Sequence, residues 1–144
     1  MNITYRNINK GEKPNRNSLI VCLPLPPHDL SPNARCHWAA KARAIRKYRT
    51  YAWAEAVSRN GGVGDRWRDA TCQATFYFCD SRSRDRDNLL AALKSAFDGL
   101  ADAHIIEDDA GLVHMPVRVL RDRENPRVEL EITRAGPSRN KNAR

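Results

Sequence analysis

The stretch TCQATFYFC, residues 71–79, decides the fold that the sequence predicts. Ala74, Phe76 and Phe78 fall on one side of an extended chain, and the residues between them are threonine, glutamine and tyrosine. This two-residue period is typical of a strand with one buried and one polar face. The arginine-rich segment that follows, residues 80–84, predicts a turn before a helix.

Two helical patterns flank this strand. Between residues 37 and 59, apolar residues recur at three- and four-residue intervals without proline or glycine, and Asn60-Gly61-Gly62 then predicts a stop. We expect the inner stripe of this helix to contain Trp38, Ala42, Ile45, Ala52 and Ala56. From residue 89 to residue 100, a second stripe predicts another helix, with Leu89, Leu93, Ala96, Phe97 and Leu100 facing the core.

Three more extended segments complete the predicted sheet. Residues 19–23 are continuously apolar and end at prolines, and residues 128–132 alternate. Residues 113–119 place Val113, Met115, Val117 and Val119 on one face, but Pro116 lacks a backbone donor and predicts a sheet edge or a bulge. The order strand–helix–strand–helix–strand–strand predicts an α+β fold, an α/β sandwich in which a small mixed sheet packs with two main helices.

The length and charge of the chain indicate one domain with a polyanionic partner. A chain of 144 residues holds one core, and we expect a folded domain at 18–134 between a loose basic segment at 1–17 and a basic tail at 135–144. The net charge is +8, of which residues 1–18 contribute +3 and residues 134–144 contribute +4. Basic ends favour phosphate contacts, and a purely solubilising role is an equally weighted alternative.

Several classes of protein lack support in the sequence. No run reaches the roughly 18 apolar residues of a membrane span, and the amino terminus has no apolar segment of a secretory signal, so we expect a cytoplasmic protein with no membrane partner. The four cysteines (Cys22, Cys36, Cys72 and Cys79) contain no C-x-x-C pair, and we expect reduced thiols. Cys22, Cys72 and Cys79 lie in strand-like runs, where a free cysteine packs as a small hydrophobic residue. Motifs of nucleoside triphosphatases, zinc proteases and serine hydrolases do not occur.

Two groups of acids bracket the second predicted helix: Asp85 and Asp87 precede it, and residues 107–109 follow it. Aspartates two positions apart point the same way on an extended chain but about 200° apart on a helix, so they share an ion only if one precedes the helix. Helix capping is the simplest alternative explanation. Carboxylates are the hard ligands that Mg²⁺ prefers, and Mg²⁺ polarises phosphodiesters. Neighbouring basic residues would offset repulsion between these acids and DNA: Arg82, Arg84 and Arg86.

Three runs in this region together resemble the RusA family of Holliday-junction resolvases. They are DRDNL at 85–89, KSAFDGL at 94–100 and IEDD at 106–109. The corresponding family motifs read roughly D-x-D-N-L, K-x-x-x-D-A-L and a D-D pair. The run LPLPP at 23–27, with the polar residues after it, is similar to the family's opening strand and loop, so the resemblance extends from about Leu19 to Thr133.

The resemblance implies a crossover junction endodeoxyribonuclease that uses Mg²⁺, with Mn²⁺ as an alternative ion, and acts as a homodimer on branched DNA. Such an enzyme resolves Holliday junctions by paired symmetric nicks in recombination and repair, in a bacterium or a phage-infected host. The family's essential acids fall on Asp85, Asp87 and Asp109, with Asp108 as a supplementary ligand. Its functional lysine falls on Lys94. The expected catalytic residues are therefore Asp85, Asp87, Asp109 and Lys94.

Lys94 departs from the family's spacing. The family typically has this lysine four residues after the second aspartate, whereas Lys94 follows Asp87 by seven, which is about 10.5 Å along a straight helix rather than about 6 Å. An ion pair with Asp98, one helical turn further along, is an equally weighted alternative role.

The first predicted helix is strongly basic, since no acid occurs between residues 35 and 51. We expect this helix to lie along a DNA phosphate backbone. The alternative is that its basic face contacts only solvent. The residues assigned to DNA contact are Arg35, His37, Lys41, Arg46, Lys47, Arg82, Arg84 and Arg86. Two rival functions remain open: a metal-dependent nuclease acting on flaps or single strands, and a non-catalytic basic DNA-binding accessory protein.

Overall fold

The computed structural model describes residues 17–60 and 66–135, and it confirms the α+β class. The elements are β1 (Ser18–Leu23), α1 (Trp38–Asn60), β2 (Ala70–Phe78), α2 (Arg86–Ala91), α3 (Lys94–Asp102), β3 (Leu112–His114), β4 (Arg118–Arg121) and β5 (Arg127–Arg134). Single 3-10 turns lie at His28–Leu30 and Asp109–Gly111. The predicted basic segment at 1–17 and the predicted basic tail at 135–144 lie outside the described residues except for Asn17 and Ala135.

The sheet is mixed, as predicted, and β2 lies at its centre. Strand β5 lies between β1 and β2 and is antiparallel to both. Strands β3 and β4 both pair with the other edge of β2 and run parallel to it. Parallel neighbours need a crossover connection, and α2 and α3 supply it between β2 and β3.

The alternation that predicted β2 also determines where the core lies. Every second residue of β2, from Ala70 to Phe78, is buried, and the residues between them are half-buried. The buried face packs with Val21 of β1, Leu130 of β5 and the inner sides of α1 and α3 in one cluster. The opposite face of β2 is lined by Thr71, Gln73, Thr75 and Tyr77.

The predicted single strand at 113–119 is interrupted, and its three valines and one methionine do not share one face as predicted. Val113 and Met115 are exposed, whereas Val117 is buried and Val119 is partly buried. The pairing explains the error: Ala70 lies opposite Leu112, an offset of 42, but Thr75 lies opposite Arg118, an offset of 43. One extra residue therefore stands in the edge strand around Pro116, and such a bulge reverses the faces that follow it. The expectation for Pro116 is confirmed.

The second predicted helix is two helices rather than one. Helix α2 ends at Ala91 and α3 begins at Lys94, with a tighter turn between them in which the Leu93 N–H donates to the Leu90 carbonyl at 3.0 Å. The predicted apolar stripe is nevertheless confirmed, because four of its members are buried and Leu89 packs partly against them. The straight-helix distance between Asp87 and Lys94 does not apply across this break.

Helix α1 has the predicted length but a different inner face. Tyr48, Ala52 and Ala56 are buried at four-residue intervals, and the Tyr48 hydroxyl donates to the Pro24 carbonyl at 2.8 Å. The expectation for Trp38 and Ile45 is wrong, since Trp38 is 77% exposed and Ile45 is also exposed. Small alanines let α1 approach the sheet and α3 closely, and its two tryptophans remain outside the core.

All four cysteines are free thiols, as expected. Cys22 and Cys72 are buried, and burial raises the pKa of Cys72 to about 12. The expected packing of Cys79 is wrong because β2 ends at Phe78, which leaves Cys79 exposed.

Helix α3 ends in a left-handed residue that is not glycine. His104 has φ 60°, its N–H donates to the Ala101 carbonyl, and the Ile105 N–H donates to the Leu100 carbonyl. These two hydrogen bonds form a Schellman motif, in which glycine is usually the left-handed residue because it has no Cβ.

Replacing His104 with glycine should raise the free energy of unfolding by about 1 kcal/mol, because a left-handed conformation is strained for residues with a Cβ. Urea denaturation would measure the change, with His104→Ala as the control that loses the imidazole but keeps the strain. A glycine variant no more stable than the alanine variant would contradict this account.

Candidate functional site

Lys94 joins two acids that come from different elements. Its Nζ donates to Asp98 Oδ1 at 2.8 Å, one turn further along α3, and it also donates to Asp109 Oδ2. Asp109 begins the 3-10 turn ahead of β3, 15 positions later in the sequence. The expected pair with Asp98 is therefore confirmed, and the fold adds an acid from the run at 106–109.

The charges in this group stabilise one another. Hydrogen bonding to Asp109, and then to Asp98, raises the pKa of Lys94. The hydrogen bond from Lys94 lowers the pKa of Asp109. The His114 ring lies 4.7 Å from the Phe97 ring, and partial burial lowers the pKa of His114 although Asp109 opposes the shift. At neutral pH the group is therefore one cation held by two carboxylates, with an uncharged imidazole nearby.

Asp85 caps α2 and therefore lies before the helix, which is the position that one of two aspartates sharing an ion must have. Its backbone is extended, and its Oδ1 accepts hydrogen bonds from the N–H groups of Asp87 (2.9 Å) and Asn88 (3.2 Å). Asp87 lies in the first turn, where the partial positive charge of the helix end favours an ionised carboxylate. Asp85 precedes the helix and Asp87 lies within it, as sharing an ion requires.

The structure does not gather the three predicted ligands into one group. Within residues 17–60 and 66–135, no three His, Cys, Asp or Glu side chains are arranged to hold a metal ion. Across the same residues, no hydrogen bond joins Asp109 to Asp85 or Asp87. Asp108 Oδ1 accepts from the Ala110 N–H at 3.1 Å and so caps the 3-10 turn. The fold thus unites Lys94 with Asp109, and among the described residues no hydrogen bond or ion pair joins Lys94 to Asp85 or Asp87.

The residues assigned to DNA contact differ in how freely they can bind. Arg84 lies 3.6 Å above the Phe78 ring and pairs with Asp80 at 2.9 Å, so its guanidinium is held by the protein. His37 Nδ1 accepts from the Ala39 N–H at 3.2 Å, at the start of α1. The other six side chains are exposed: Arg35, Lys41, Arg46, Lys47, Arg82 and Arg86.

A cleft beside α1 lies outside the sequence-based assignments. It has a volume of about 360 Å³ and is lined by Arg46, Arg49, Thr50, Trp53 and Asp102. We call it the Trp53 cleft. One wall is a two-point ion pair in which Arg49 donates to both carboxylate oxygens of Asp102, at 2.6 and 2.8 Å.

No family model matches the chain. An uncharacterized protein of Xylella fastidiosa (strain Temecula1 / ATCC 700964) is 34% identical to it over 124 residues, which cover 81% of this chain and 70% of the relative. The two proteins belong to one family. The name of the Xylella relative assigns no activity, and the relationship establishes shared ancestry.

None of the helices in the described parts of the chain has the length and apolar character required to cross a membrane.

Sequence reasoning missed the Arg49–Asp102 pair and the Trp53 cleft for different reasons. The pair joins residues 53 positions apart, and no local pattern predicts which charged residues meet at a helix crossing. The cleft did leave a signal, because residues 46, 49, 50 and 53 follow helical spacing on one side of α1. The prediction placed the apolar stripe of α1 on a different side, so the helical spacing of these four residues did not indicate a site.

Proposed function

We propose that this protein is a Mg²⁺-dependent, structure-selective endodeoxyribonuclease of the RusA type that nicks branched DNA symmetrically as a homodimer. The observation that best supports the proposal is the contact between Lys94 and Asp109. It brings together the lysine and the final acid of two RusA-like motifs that the sequence separates by a helix and a loop.

Carboxylate oxygens are the ligands that a hard cation such as Mg²⁺ prefers. Asp85 offers the oxygen that does not cap α2, and Asp87 is exposed beside it at the start of the helix. Asp85, Asp87 and Asp109 would hold Mg²⁺, with Asp108 as a supplementary ligand. Bound there, Mg²⁺ would activate a water molecule and neutralise charge on the departing oxygen.

The chain's own residues then have distinct tasks. Asp98 holds the Lys94 ammonium in place, and this ammonium would offset the charge of a bound phosphate. The exposed basic side chains of α1 position the DNA backbone without reading its sequence. Two copies related by a two-fold axis would present two such sites to the two equivalent strands of a junction.

A non-catalytic DNA-binding protein is the second candidate, and a specific observation favours it. Asp85 and Asp108 cap helical turns, and Asp109 is paired with Lys94, so most of the acids already have structural partners. Such a DNA-binding protein would need no divalent ion to bind DNA. A nuclease for flaps or single strands would share the site but differ in substrate.

A nicking assay on a fixed synthetic four-way junction separates these candidates. We expect paired symmetric nicks with Mg²⁺, none with EDTA, and slower cutting of flap and linear substrates. Preferred cutting of flaps would favour the rival nuclease, and binding of junctions without any metal-dependent cleavage would favour the accessory protein.

Replacing Lys94 with methionine should slow junction nicking about tenfold, because one phosphate-directed cation is lost from an exposed site. Single-turnover cleavage at saturating protein would measure the effect. The matched control is Lys41→Met on α1, which should weaken binding rather than the cleavage of bound DNA. Equal effects of the two variants on the single-turnover rate would contradict the assignment of Lys94.

A further inference from the structure

The Trp53 cleft combines three kinds of contact that suit a nucleotide. Trp53 is 44% exposed, which leaves an aromatic surface for stacking. The Arg46 side chain is exposed and makes no ion pair within the described residues, so its guanidinium is available for a phosphate. Thr50 adds a hydroxyl to the lining of the cleft.

The cleft is also preorganised. Arg49 is held against Asp102 by two hydrogen bonds, and this pair ties the wall of the cleft on α1 to the end of α3. Because Asp102 neutralises Arg49, the cationic character of the cleft comes chiefly from Arg46. A site with one cation beside an aromatic ring suits a single phosphate and its attached base.

The position of the cleft relates it to the candidate catalytic group. Lys94, Asp98 and Asp102 follow one another at four-residue intervals on α3, so they lie along one side of the helix. Asp109 binds at the Lys94 end of this row, and Arg49 binds at the other end. The two ends are about 12 Å apart along the axis, which corresponds to about three or four nucleotides of a B-form strand.

We infer that the Trp53 cleft binds an unpaired nucleotide of the DNA substrate, with its base stacked on Trp53 and its phosphate on Arg46. The inference rests on the proposed function, since it takes DNA as the substrate. A paired base cannot offer its face to an indole, whereas a base at a branch or bulge can. The cleft thereby makes the protein selective for DNA structure rather than sequence.

Binding without metal tests this inference separately from cleavage. The full chain in EDTA is titrated against three labelled duplexes of equal length: one fully paired, one with a three-nucleotide unpaired bulge, and one whose bulge lacks bases. We expect fluorescence anisotropy to show about tenfold tighter binding to the bulge with bases than to the abasic bulge, because only the former can stack.

The variants assign this preference to the cleft. Trp53→Ala should abolish the difference between the two bulges, and Trp53→Phe should retain most of it. Trp38→Ala is the matched control, since Trp38 is the more exposed tryptophan of the same helix, and it should keep the preference. Arg46→Gln should weaken binding to all three duplexes and reduce the salt dependence by about one phosphate contact.

The outcomes separate the two proposals. Loss of the preference in Trp38→Ala, or its persistence in a Trp53→Ala variant with an unchanged circular dichroism spectrum, would overturn the inference. A protein that shows the preference but never nicks DNA with Mg²⁺ supports the Trp53 cleft and contradicts the nuclease. One that nicks junctions but binds both bulges equally supports the nuclease and contradicts the cleft. Failure to bind any of the duplexes overturns the cleft assignment.

Discussion

Asp87→Asn should abolish Mg²⁺-dependent nicking while leaving junction binding nearly unchanged. The amide keeps the shape of the side chain but removes the negative charge that would hold the ion. Asp87 has no capping role, unlike Asp85, so the change should leave α2 intact. Loss of a metal ligand removes several kcal/mol of transition-state stabilisation, which corresponds to a rate about a thousandfold lower. Single-turnover cleavage of a fixed junction measures the rate, and anisotropy in Ca²⁺ or EDTA measures binding.

Glu124→Gln is the matched control for this experiment. Glu124 is an exposed carboxylate between β4 and β5, where its backbone N–H, rather than its side chain, bonds to Asp122. Removing its charge should leave the nicking rate unchanged, which separates the effect of Asp87 from a general effect of net charge. Normal nicking by Asp87→Asn, or an equal loss in the control, would overturn the assignment of Asp87.

The alternation in β2 was enough to predict the centre of the fold, because a period of two depends only on which face of a strand is buried. The edge strand was harder. A bulge at Pro116 adds one residue, and the resulting change of face arises from pairing with β2 rather than from the pattern of Val113 and Val117. The inner face of α1 was also ambiguous in the sequence, because alanines fit several faces of a helix. Tyr48 is buried on the observed face because its hydroxyl donates a hydrogen bond to the Pro24 carbonyl.

The candidate site was predictable only in part, for a similar reason. Helix capping was the alternative explanation for Asp85 and Asp87, and the structure shows a cap at Asp85. The ion pair of Lys94 with Asp98 followed from helical spacing, whereas its contact with Asp109 depends on how the chain returns to β3. Local patterns specify contacts within an element, and the contacts that assemble a site between elements require the packed fold.

Gly99→Ala should be the most destabilising of the substitutions considered, although alanine is ordinarily the better helix residue by about 1 kcal/mol. Gly99 lies where α3 crosses α1, and a Cβ there would stand 2.4 Å from the Arg49 carbonyl oxygen and 3.1 Å from the Trp53 nitrogen. Both neighbours are backbone atoms, so neither can rotate away. We expect the free energy of unfolding in urea to fall by about 3 kcal/mol, at the upper end of overpacking effects.

Two variants separate the backbone clash from simpler explanations. Ala52→Gly removes the Cβ that would lie 3.0 Å from the new methyl group, but it leaves the Arg49 carbonyl in place, so it should not rescue Gly99→Ala. Ala91→Gly, at an exposed position of α2, measures the helix propensity difference alone and should cost no more than about 1 kcal/mol. The close helix crossing that glycine permits also brings Arg49 to Asp102. Rescue by Ala52→Gly, or a stable Gly99→Ala protein, would show that this crossing does not require glycine.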